Sequence, residues 1–289
     1  MKTDLEKSDG DYFLIRNECS VYFRKINLRK EIGGRSYNLF VFHDFGEHGE
    51  RYVEFIESLT LSLVLSGVNI TSYIIDLPGH GKSAGSRGHI PSIENLSLDF
   101  VDFVNGVQEK NENIFLGNSL GALIVFDILH SYESLLSQKA HSAIALNPAF
   151  KMNWHIPSSI QGVLTKKIGL FGKLRLPFAV DGLAFHGDDC ESEEFDRDPL
   201  ICHYPTISTF LEIQNAGKRL RTSSYYIEYP VFVGLSEEDQ LYGPKVSEIF
   251  SRGLKHGKLK KYYKAPHDLI CHQIAGNLVQ DIVKWYLTI

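Results

Sequence analysis

The chain has 289 residues, 43% of them hydrophobic and 12% aromatic. That is enough apolar content for a large core, in one catalytic domain with an insertion or in two small domains, and it excludes wholesale disorder. The formal charge of -5 excludes the basic face that nucleic-acid binding needs, and the four scattered cysteines (Cys19, Cys190, Cys202, Cys271), without a C-x-x-C pair, read as reduced thiols of a cytoplasmic protein rather than a disulfide frame or zinc site.

The charged N-terminus, M-K-T-D-L-E-K, lacks the apolar stretch of a signal peptide, and no run reaches the length of a membrane span. Tyr12 to Leu28 holds two β-rich runs separated by Asn17-Glu18, which predicts an antiparallel opening hairpin. After the break at Gly33-Gly34, Asn38 to His43 reads as the first buried strand, leading into His43-Asp44-Phe45-Gly46-Glu47-His48-Gly49. A helix follows with Tyr52, Phe55, Ile56, Leu59 and Leu63 on one face. Asn69 to Asp76 is the next strand, ending in D-L-P-G-H-G-K-S, and a second helix starts at Ser92, a good N-cap.

Asn113 to Leu129 reads N-I-F-L-G-N-S-L-G-A-L-I-V-F-D-I-L: a short apolar run, then Gly117-Asn118-Ser119-Leu120-Gly121, then an apolar helix face. A G-x-S-x-G pentapeptide between a strand and a helix is a nucleophile elbow, which holds its serine in a strained turn at the top of a sheet. The flanking glycines are needed because side chains there would collide with neighbouring backbone. Ser119 is therefore the candidate nucleophile. His141 to Asn147 is a further strand, and from Pro148 to Ser224 the strand–helix alternation stops. It resumes with a strand at Tyr229 to Gly234, a helix at Pro244 to Gly253, a strand at Lys258 to Tyr263 and a last helix from Leu269 to Leu287. This alternation predicts an α/β fold with a mainly parallel central sheet and helices on both faces. Residues 1–147 and 225–289 would form the core, and 148–224 an inserted helical cap over the C-terminal strand ends, where ligands bind in such sheets.

H-D-F-G-E-H-G-E-R-Y, D-L-P-G-H-G-K-S-A-G-S-R-G-H-I and G-N-S-L-G together resemble the α/β-hydrolase family of monoacylglycerol lipases and lysophospholipases, from about Leu39 to the C-terminus. The second motif is the most specific, through its R-G-H-I continuation; Asp198-Pro199-Leu200 also resembles the D-P-L of these lipases. The resemblance implies the α/β-hydrolase fold and a serine hydrolase without metal or cofactor.

A serine needs a base and an orienting acid, in the chain order Ser, Asp/Glu, His. His267 lies on the loop before the last helix, where this fold places its base, and its H-D-L context fits the family pattern. Asp239 aligns with the family's acid in Ser236-Glu237-Glu238-Asp239-Gln240-Leu241, with Glu237 and Glu238 as rivals. The oxyanion hole would come from the backbone N–H groups of Leu120 and Phe45. Glu47 and Arg51 match the family's charged pair, which helps hold a polar head such as glycerol; an i,i+4 salt bridge is the equally weighted alternative. The family has glycine where this chain has Asp44. Since an unpaired carboxylate inside the site would be strongly disfavoured, Asp44 is expected to turn outward and pair with Arg51 or Lys82.

The insertion changes charge along its length, with Lys151, Lys166, Lys167, Lys173 and Arg175 before Val180, then eight acids and only Arg197 from Asp181 to Asp198. Ile160, Val163, Leu164, Ile168 and Phe171 recur at helical spacing, so a basic amphipathic lid resting transiently on a membrane surface competes with an ordinary cap helix. The expected activity is cleavage of carboxylic esters of monoacyl lipids through an acyl-enzyme on Ser119. The alternatives are a small-ester carboxylesterase of the same fold or a catalytically weak binding protein. A related peptidase would need a site for a free amine, which no matched motif supplies.

Overall fold

The computed structural model describes residues 3–7, 9–30, 34–153, 171–177, 179–187, 190–271 and 273–289. Nine strands among them form one sheet: β1 Thr3–Lys7, β2 Asp11–Ile15, β3 Cys19–Lys30, β4 Arg35–Phe42, β5 Val68–Ile75, β6 Glu112–Asn118, β7 Ala140–Leu146, β8 Val231–Ser236 and β9 Gly257–Tyr262. The order is β1-β3-β5-β4-β6-β7-β8-β9, with β2 paired to β3. From β5 to β9 every pairing is parallel, while β1, β2 and β5 run antiparallel to β3. The expected hairpin is therefore β2–β3, and β3 extends it into the main sheet. β1 was not anticipated, because T-D-L-E-K carries no β-rich run.

Among the described residues the α-helices are α1 Val53–Leu65, α2 Ile93–Gly106, α3 Leu120–Asp127, α4 Gly182–His186, α5 Cys190–Arg197, α6 Ile207–Leu220, α7 Pro244–Gly253 and α8 Ala275–Tyr286. Successive strand residues supply two cores, as the two-residue repeat of a strand requires. Phe40, Phe42 and Phe115 pack with α2, α3 and α7 on one face. Leu39, Val41, Ile114 and Leu116 pack with α1 and α8 on the other. Every residue of α3 is buried, which is why its pattern is apolar all round. The last helix starts later than expected, because Asp268 accepts the N–H groups of Ile270 (2.8 Å) and Cys271 (3.2 Å) and holds that stretch as a loop.

Between β7 and β8 the described residues hold α4, α5 and α6 in place of the strand–helix alternation. This segment is tied to the loops at the strand ends by backbone bonds from Cys202 N to Gly46 O (2.8 Å) and Thr206 N to Gly88 O (3.2 Å). The R-G-H-I continuation is part of that tie: Arg87 donates to Leu200 O, and the Thr209 hydroxyl bridges Ile90 N and Gly88 O. Asp198 of D-P-L accepts from Leu200 N and meets His48, both at 2.8 Å. The basic amphipathic stretch from Ile160 to Ile168 lies outside the described residues. No described helix is long and apolar enough to cross a membrane.

Candidate active site

Because the strands are parallel, the loops leaving β4, β6, β8 and β9 open at one edge of the sheet, and they bring Asp44, Ser119, Asp239 and His267 together. At the elbow Ser119 has φ +49 and ψ -103, a left-handed backbone that a non-glycine residue adopts only when its surroundings enforce it. A Cβ on Gly121 would stand 2.0 Å from Phe42 O, and one on Gly117 would stand 2.4 Å from Ala122 N. Ser119 N donates to Leu146 O at 2.8 Å, fixing the turn to the neighbouring strand.

His267 is fully buried, with Nδ1 2.9 Å from Asp239 Oδ2. Asp239 is itself oriented by the N–H groups of Leu241 (2.8 Å) and Tyr242 (3.0 Å) on its Oδ1. Its sequence rivals lie elsewhere: Glu238 is exposed and Glu237 half-exposed. Asn147 braces the two loops, donating to Ser236 Oγ (3.0 Å) and to His267 O (2.6 Å).

Asp44 departs from the outward, cation-paired orientation expected of it. Its side chain points inward and is 1% exposed. Oδ1 accepts the N–H groups of both Phe45 (2.6 Å) and Leu120 (3.1 Å). Oδ2 lies 3.0 Å from His267 Nε2. The cations expected to hold it are engaged elsewhere, Arg51 with Glu47 (3.2 Å) and Lys82 with Glu50 (3.7 Å). Burial is tolerated because three donors, one of them an imidazole, satisfy the carboxylate, so the penalty for an unpaired charge does not arise. Burial alone would push the His267 imidazole down, but Asp239 and then Asp44 outweigh it and hold the ring well above the ordinary histidine range.

The Ser119 hydroxyl is fully buried, with the Tyr242 phenol as its neighbour. His267 Nε2 is directed at Asp44 instead. The cavity next to Asp44 has a volume of about 20 Å³, with Phe45, Met152, Phe185, Leu241 and Tyr242 among its walls.

Glu47 and Arg51 form the i,i+4 pair, but they sit inside a buried network rather than on that cavity. Arg51 Nη2 donates to His186 Nε2 (2.9 Å) and lies 3.7 Å from Asp268 Oδ2, with its guanidinium over the Phe195 ring. Burial pushes the Glu47 carboxyl up to about 7; Asp268 adds to this and Arg51 opposes it. Tyr52, read from sequence only as a helix-face residue, joins this network to the site. Its hydroxyl donates to Glu47 Oε2 (2.6 Å) and accepts from Asn118 Nδ2 (3.0 Å) and Asp44 N (3.2 Å). His43 fixes the Asp44 backbone from the other side. Its Nε2 accepts from Leu77 N (2.8 Å), so the proton resides on Nδ1 and is donated to Asp44 O (2.6 Å). Burial lowers that imidazole to about 3, so it stays neutral in this role. Tyr52 and Asn118 carried no sequence signal for their bracing parts.

The family described as Serine aminopeptidase, S33 matches residues 36–273. The uncharacterized protein YnbC of Escherichia coli is 23% identical over 239 residues, covering 80% of this chain. The chain spans only 38% of the length of that relative. The monoglyceride lipase of Rattus norvegicus is 25% identical over 292 residues, covering 97% of this chain and 88% of that protein. The crystal structure of the monoacylglycerol lipase of Paleococcus ferrophilus shares the fold, with a TM-score of 0.77 at 22% identity, covering 93% of this chain and 98% of that one. The chain belongs to the serine aminopeptidase S33 family and is an enzyme of the α/β-hydrolase fold.

Proposed function

We propose that the chain hydrolyses carboxylic esters of monoacyl lipids, of the monoacylglycerol or lysophospholipid kind, through an acyl-enzyme on Ser119. The observation that carries this reading is the convergence of Phe45 N and Leu120 N on one buried oxygen, 2.6 and 3.1 Å away, beside an elbow serine and an imidazole. That oxygen marks the point where a carbonyl oxygen would gather charge. In the reaction Ser119 Oγ attacks the ester carbon while His267 Nε2 takes its proton. The imidazolium then passes that proton to the leaving alcohol. Water, deprotonated by the same nitrogen, cleaves the acyl-enzyme to a carboxylic acid and restores Ser119. Asp239 holds Nδ1–H and steadies the imidazolium.

The monoglyceride lipase relative, aligned over nearly the whole chain, supports a monoacyl-lipid substrate. Residues 148–224 act as the cap, in keeping with their ties to the loops around Gly46, His48 and Gly88. The charge pattern of the insertion is the support for a transient contact with a membrane surface, and the free thiols of Cys19, Cys202 and Cys271 are in keeping with a cytoplasmic location. A small-ester carboxylesterase is the second reading, favoured by the narrowness of the cavity beside Asp44. A series of p-nitrophenyl esters from acetate to laurate separates the two. An acyl tunnel makes kcat/KM climb with length, by up to about 0.8 kcal/mol per buried methylene. A profile flat or falling beyond acetate selects the small-ester enzyme.

A further inference from the structure

The two amides and the imidazole nitrogen that acylation would use are already occupied by the chain itself. The two amides that point at the carbonyl-oxygen position, Phe45 N and Leu120 N, are both spent on Asp44 Oδ1. The imidazole nitrogen that would accept the Ser119 proton is spent on Asp44 Oδ2, at 3.0 Å. A carboxylate with one oxygen on the two amides and the other on the imidazole is the pose expected of the carboxylic acid product before it leaves. Asp44 reproduces that pose with a side chain tethered in the loop. The loop is braced on both sides of the residue, by Tyr52 Oη on Asp44 N (3.2 Å) and by His43 Nδ1 on Asp44 O (2.6 Å). Charge-assisted bonds of this kind, made between buried groups, compete strongly with any incoming oxygen.

Resting on the serine-esterase reading, we propose that Asp44 is an intramolecular ligand of the oxyanion pocket, which an ester carbonyl must displace before Ser119 can react and which shuts free carboxylates out of the site. Asp44 is thus a specificity-determining residue. A neutral ester gains the two amides and frees the imidazole only after the side chain has withdrawn. A fatty-acid anion gains the same amides but must evict a group of its own charge to reach them. The enzyme accordingly trades acylation rate for resistance to inhibition by its own acid product.

The test compares the full-length wild type with Asp44→Gly, using a fluorophosphonate probe on Ser119 and decanoate as inhibitor of p-nitrophenyl butyrate hydrolysis. Thermal melting establishes that the variant is folded; if it is not, Asp44→Ser carries the same test. The expected result is that labelling accelerates about tenfold or more and that decanoate inhibits at a concentration lower by a similar factor, each corresponding to about 1.4 kcal/mol. A folded variant that is labelled less than tenfold faster, or whose decanoate inhibition is unchanged, overturns the proposal while leaving Ser119 as nucleophile. Failure of both wild type and variant to label at Ser119, with Ser119→Ala as reference, defeats the esterase reading and the proposal with it.

Discussion

His267 lies between two carboxylates, with Asp239 Oδ2 2.9 Å from Nδ1 and Asp44 Oδ2 3.0 Å from Nε2. These are the charged groups facing the ring; Tyr242 and Phe185 pack against it, and Asp268, next in sequence, turns to Arg51 and His186. A base must be neutral to take a proton, and both carboxylates favour the protonated form. The acid limb of kcat/KM should therefore lie above the ordinary histidine value of about 6.5. Asp44→Asn removes one of the two charges, so the limb should move to lower pH, as a pH–rate profile would show. An unmoved limb would mean that Asp44 does not face the working imidazole.

The same contact has a stability consequence. A histidine whose folded-state pKa is raised contributes stability in full below its unfolded value, and this contribution is lost as pH rises through the folded value. Wild type should melt higher than Asp44→Asn near pH 6, and the gap should narrow on going alkaline. Thermal melts of both proteins across that range measure it. A gap that widens with pH would contradict a protonated His267 in the folded resting state.

Replacing the reacting groups gives a third expectation. Ser119→Ala or His267→Ala should each lower turnover by roughly four to six orders of magnitude, with Asp239→Asn also severe. Because the groups act as a unit, the Ser119→Ala/His267→Ala double variant should be little worse than either alone. A silent Asp239→Asn alongside a damaging Glu238→Gln would move the acid to the neighbouring residue, against the exposure of Glu238.

Arg51 offers a test of buried charge against substrate contact. Its guanidinium neutralises Glu47 and Asp268, both nearly inaccessible to water. Arg51→Ala should cost about 3–5 kcal/mol of stability, because it strands two buried carboxylates. A denaturant melt checks this. A variant of unchanged stability whose KM alone rises would instead make Arg51 a holder of the substrate's polar head.

The frame of the protein was readable from local sequence for physical reasons. Ile114 to Leu116, Leu39 to Phe42 and Val231 to Val233 are apolar on successive residues because the sheet has a core on each face. The elbow was readable because only glycine fits at positions 117 and 121, given the approach of Ala122 and of Phe42. The start of α8 is not legible in the sequence because Leu269 and Ile270 are apolar, yet lie in a loop held by Asp268. The orientation of Asp44 is not legible in the sequence for a deeper reason. Its orientation is decided by Leu120 and His267, 76 and 223 residues away, and no local pattern reports whether such donors will converge. Weighing only the cost of burying an unpaired carboxylate gave the opposite direction.

The most direct measurement is rapid-quench mass spectrometry of the protein mixed with p-nitrophenyl laurate, followed by peptide mapping. The predicted result is one lauroyl group per chain, located on the peptide containing Ser119, formed in a burst and lost on further incubation, and absent from Ser119→Ala. Ester turnover with no covalent adduct, or with an adduct on any other residue, would contradict an acyl-enzyme on Ser119.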